Sequence, residues 1–184
     1  GLMRNFWLAR DPMPADTVNV RLVEHYRRMV YAEQHYRYDG FRHPMLKSDL
    51  LHRLPFPPWY MDNAVFSDMG LVYIRYGEPD ETAFAVDASL PQNMSWLYRP
   101  SDGRPRLIFH FSVPEDAPHG YWTLSPGFMD AEIMEQMLHW DPAYQRALTE
   151  TDTDPRAVFN EIARARAEMV RAGFESDRYR WPGD

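Results

Sequence analysis

The sequence predicts an α+β fold: an antiparallel sheet of four or five strands with an N-terminal helix packed on it, followed by C-terminal helices. Three observations carry this. Apolar side chains recur at three- and four-residue steps between residues 22 and 36, short β-branched and aromatic runs separated by turn signals fill residues 71–124, and helical periodicity returns after Asp130. The chain then divides into an α+β unit at 1–127, a helical extension packed on it at 128–175 and a polar tail at 176–184.

Phe6 and Trp7 form an aromatic anchor, after which Pro12 and Pro14 break the chain. Asp16 or Thr17 is placed to cap the next helix by accepting from a first-turn N–H. Leu22, Val23, Tyr26, Met29, Val30 and Tyr36 then share one stripe with Glu33, whereas Arg21, Glu24, Arg27, Arg28 and Arg37 lie largely elsewhere. The helix is expected to turn that stripe to the core and to end near Gly40. From Phe41 the pattern is lost, apart from a candidate helical turn at residues 48–51, and the prolines of "LPFPPWYM" impose extended backbone on residues 54–61.

Five short runs carry strand signals. "LVYIRY" at 71–76 is continuous, β-branched and aromatic, and reads as a strand stopped by the Gly77–Pro79 turn. "AFAV", "SWLYR", "RLIFHFSV" and "GYWTL" follow. In the fourth run Leu107, Phe109, Phe111 and Val113 fall on one face, with Ile108, His110 and Ser112 on the other, outward one. "PSDGRP", with Asp102-Gly103 at its tip, makes runs three and four a hairpin. In the last third Asp130, Asp141-Pro142 and Asp154-Pro155 are helix starts, and Gly173 is a stop.

Composition narrows the function. There is no cysteine, which removes disulfides, thiolate metal sites and a Cys nucleophile. The net charge of −7 is uneven: residues 1–60 carry nine basic and six acidic side chains, residues 61–155 five and sixteen. An acidic middle repels phosphate, so nucleic acid is not an expected partner. No apolar run reaches the roughly 18 residues that cross a bilayer, and a chain opening on Gly1 reads as a processed or truncated N-terminus.

Chemistry signatures are sparse. Glu78, Asp80 and Glu81 put three carboxylates on a short loop, the donor type that Ca²⁺ or Mg²⁺ takes. The EF-hand spacing is missing, and a turn pinned by Arg75 or Arg99 explains the same residues, so no metal or other cofactor is expected. His25 and His35 sit ten residues apart, about 15 Å along an ideal helix and too far for one ion. There is no G-x-S-x-G, no S-x-x-K and no glycine-rich phosphate loop. Asn93-Met94-Ser95 matches a glycosylation sequon.

The order of parts carries a resemblance. Phe6, Trp7, Arg10, Asp11 and Pro12 precede a helix with Arg28 and "YAEQHY", then Asp68, "GLVYIRYGEPDE" and the Trp96-x-Tyr98 strand. Over about residues 4–124 this resembles the GWxTD domain, a bacterial domain of uncharacterised function in exported or envelope-associated proteins. Here the name-giving motif reads Ala64, Val65, Phe66, Ser67 and Asp68, keeping the Asp and replacing Thr by Ser. The resemblance implies an exported or periplasmic, cell-envelope setting and supplies no catalytic residues.

The expected function is therefore a non-catalytic interaction or scaffold subunit of a larger, membrane-extrinsic assembly whose partners are other protein subunits. Phe56, Trp59, Tyr60 and Trp181 are its candidate contact residues, as aromatics suited to burial in a partner. The alternatives are a metal-assisted hydrolase using Glu78, Asp80 and Glu81, and a carbohydrate binder using Trp59, Tyr60, Trp96 and Trp122.

Overall fold

A computed structural model describes residues 1–12, 14–15, 17–37, 63, 65–84, 92–99, 107–113, 117 and 120–125. Along them run α1 (Leu2–Leu8), α2 (Val20–His35), α3 (Asp68–Tyr76), β1 (Glu81–Ala83), β2 (Asn93–Tyr98), β3 (Leu107–Ser112) and β4 (Thr123–Ser125). The strands form one antiparallel meander in the order β1-β2-β3-β4, so the fold is α+β. The predicted hairpin of the third and fourth runs is β2–β3, paired from Asn93↔Ser112 to Tyr98↔Leu107. The Asp102-Gly103 tip, residues 54–61, the helices expected after Asp130 and the tail lie outside the described residues.

Leu71–Tyr76 is not a strand but the body of helix α3. Its β-branched and aromatic content favours a strand locally, yet both ends of the segment are built as helix termini. Asn63 Oδ1 accepts from the backbone N–H groups of Val65 and Phe66 in a turn leading into the helix. Ser67 Oγ then accepts from Gly70 N–H as the N-cap, Asp68 lies in the first turn and Arg75 in the last, and Gly77 closes the C-terminus. Met69, Val72, Tyr73 and Tyr76 follow the i, i+3, i+4, i+7 pattern and make the core with Trp96, Tyr98, Phe109, Phe111 and Leu124.

The sheet alternates as predicted, but among the described residues both of its faces are buried along its centre. Trp96, Tyr98, Phe109 and Phe111 point to α3, while Ser95, Leu97, Ile108 and His110 on the other face are also buried. His110, expected to face outward, is 2% exposed and is hydrogen-bonded through Nδ1 to Ser95 Oγ at 2.8 Å, its cross-strand partner. β1 begins two residues before the "AFAV" run, because Asp80 Oδ2 accepts from Arg99 N–H and the Arg99 guanidinium pairs with Glu81, which sets the register Glu81↔Leu97.

The N-terminal third departs twice more. The Phe6-Trp7 anchor lies inside a helix, α1, whose C-terminal carbonyl at Phe6 accepts from Arg10. The cap of α2 is neither Asp16 nor Thr17 but Asn19, whose side chain accepts from Leu22 N–H at 2.9 Å and donates to the Trp7 carbonyl at 2.8 Å. One side chain thus starts α2 and fastens α1 to it. At the other end α2 stops at His35, short of Gly40, because Arg37 bridges Phe66 and the Tyr36 carbonyl accepts from Ser67 N–H.

Candidate interaction surface

The feature that governs the surface is a junction around Gly77. This residue has φ +75° and ψ −152°, a conformation open essentially to glycine alone. Its N–H donates to the Tyr73 carbonyl as the last turn of α3, and its carbonyl accepts from the Tyr98 hydroxyl of β2 at 2.9 Å. Arg28 of α2 completes the junction. Its Nη1 donates to the Arg75 carbonyl at 3.1 Å, its Nε donates to Glu24 Oε1 at 2.7 Å, and the guanidinium lies flat enough on Gly77 that an added Cβ would come within 3.1 Å of Cζ. A cation at a helix C-terminus meets both the unpaired carbonyls and the negative end of the dipole. Hydrogen bonds from Arg27, assisted by Arg28, hold the Glu24 carboxyl below its ordinary value against the cost of burial.

This junction decides how α2 is rotated. With Arg28 3% exposed and Ala32 buried against α3, the side bearing Glu24, His25, Arg28 and Ala32 faces the domain. The stripe expected to be inward is therefore split. Leu22 and Met29 are half-buried and Tyr36 packs on Tyr73 and Trp96, but Val23, Tyr26 and Val30 face solvent with Val20. Those four side chains are 54, 56, 53 and 47% exposed, respectively. Their three- and four-residue spacing puts Val23, Tyr26 and Val30 on one side of the helix. Arg27, exposed beside them, is bound by two hydrogen bonds to Glu24, which matches its charge within the helix.

The remaining sequence candidates fall into three groups. Phe56, Trp59, Tyr60 and Trp181 lie outside the described residues. Glu78, Asp80 and Glu81 are described and lie at the surface, where Asp80 and Glu81 are engaged by Arg99 rather than by Arg75, which is buried in α3. Among the described residues no group of three or more His, Asp or Glu side chains is placed to hold a metal ion. The third group is wholly or partly buried: Trp96 is 2% exposed and so offers no ring face to a sugar, Trp122 is half-buried, and Asn93 and Ser95 sit inside β2, where a glycan could not be attached to the folded chain.

The described histidines have local structural roles. His25 packs on the Trp7 indole at 4.9 Å between ring centroids, and burial, then the nearby Arg28 charge, lowers its pKa. His35 stacks on Tyr31 at 4.0 Å and its Nδ1 donates to the Tyr31 carbonyl. Ser67 and Asp68 are buried ties. Asp68 Oδ2 accepts from Leu124 N–H at 2.7 Å and Asp68 N–H donates to the Trp122 carbonyl at 3.1 Å, which fastens the start of α3 to β4. Among the described residues no helix is long and apolar enough to cross a membrane. No family model, no curated protein and no solved structure matches the chain.

Proposed function

We propose that this chain is a non-catalytic protein-interaction domain, a scaffold subunit of a larger assembly, which binds another protein chain through the outward side of α2. The observation that carries it is the orientation of that helix: it turns Glu24, His25 and Arg28 toward its own domain and Val20, Val23, Tyr26 and Val30 toward solvent. Single exposed apolar residues are ordinary, but several at helical spacing around a tyrosine have the composition of an interface core. A helix bearing such a side is half of a helix-in-groove or helix-on-helix contact. The resemblance to the GWxTD domain extends the proposal to an exported, envelope-associated and membrane-extrinsic setting. Under that kinship the Ser-Asp remnant of the motif is structural, since Ser67 caps α3 and Asp68 holds β4, tasks that a Thr-Asp pair performs equally well.

The test is affinity capture of the tagged protein from its own cells, followed by mass spectrometry, for the parent chain, a Val23→Glu/Val30→Glu variant and a Trp59→Ala/Tyr60→Ala variant. The parent is expected to bring down a stoichiometric partner that the first variant loses while unfolding at the parent's urea midpoint. Loss only in the second variant would move the contact to residues 54–61. A parent that comes down alone overturns the proposal.

A further inference from the structure

We draw no further inference here: the strongest candidate, the outward side of α2 formed by Val20, Val23, Tyr26 and Val30, already carries the proposed function, and nothing in the structure shows which partner covers it.

Discussion

Gly77 and Arg28 are a matched pair, and each predicts the consequence of changing the other. In Gly77→Ala the backbone must leave a conformation that costs a side-chain-bearing residue about 1–3 kcal/mol, and the new methyl group must also displace the guanidinium. The expected loss is roughly 2–3 kcal/mol, read as a lower urea midpoint at unchanged m-value. Arg28→Ala removes the donor to the Arg75 carbonyl and one partner of Glu24, and is expected to cost a similar amount, about 2–4 kcal/mol. Arg28→Lys should recover only part of it, because an ammonium cannot lie along Gly77 and reach both acceptors as the planar fork does. Equal stability of the Lys variant and the parent would contradict this account of the junction.

His25 adds a pH dependence whose sign follows from its surroundings. Its pKa is lowered in the folded state, so as pH falls through the ordinary histidine range, around 6.5, the unfolded chain takes up the proton first. Stability is thus full above that range and declines as pH falls from it toward the lowered folded value. Glu24, also lowered, makes a contribution that is present above the ordinary carboxylate range and is lost only at more acid pH. The two effects occupy different windows. The urea midpoint is expected to drop between pH 7 and pH 5.5 in the parent and to drop less in His25→Gln; an identical drop in both would show that His25 is not responsible.

Among the elements, the order of the β2–β3–β4 meander was readable because alternation and turn chemistry agreed there, as in the split between Phe109/Phe111 and Ile108/His110. Helix α3 is not legible in the sequence, because a six-residue run whose one charged residue, Arg75, is itself buried has no polar face from which to tell a period of 2 from one of 3.6. The signal that would have identified it lies at its ends, in Ser67, Asp68 and Gly77, together with the spacing of Met69, Val72, Tyr73 and Tyr76. The rotation of α2 was illegible for a different reason. Its apolar stripe is genuine, but what the domain presents to it is the C-terminus of α3, which takes a guanidinium, and that pairing is 47 residues long-range. At this scale Asp68 makes the sharpest prediction. Asp68→Ala leaves the Leu124 amide without its carboxylate acceptor and is expected to cost about 2–3 kcal/mol. Hydrogen exchange at Leu124 should accelerate more than at Phe109 in the middle of β3, whereas uniform acceleration would show that β4 is held by other means.

For the molecule as a whole, the core and the candidate surface are separated by one helix. Met69 is buried under the sheet and Val23 is on the far side of α2, so replacing the apolar side chain should matter at the first place and hardly at the second. Met69→Ala is expected to destabilise by about 2–4 kcal/mol, and Val23→Glu to stay within about 0.5 kcal/mol of the parent. If Val23→Glu were as damaging as Met69→Ala, α2 would be turned the other way in solution and the interaction surface would be part of the core. Among the described residues the centre of the sheet offers no rival surface, since Ser95, Leu97, Ile108 and His110 are buried on the face away from α3.

The aromatic rings form a continuous series from the end of α2 to the centre of the sheet: His35 on Tyr31 at 4.0 Å, Tyr31 on Tyr73 at 4.6 Å, Tyr73 toward Trp96 at 6.5 Å and Trp96 against Phe111 at 5.0 Å. Burial raises the pKa of the Tyr73 phenol in this series, and that of Tyr36 beside it to about 12. Because chromophores fixed at such separations couple in a chiral environment, the near-ultraviolet dichroism of the protein is an optical gauge of how α2 sits on α3. A partner that closes over the valines without moving the helix would leave that spectrum unchanged, and one that levers α2 away would erase its Tyr31–Tyr73 component while the far-ultraviolet signal persists.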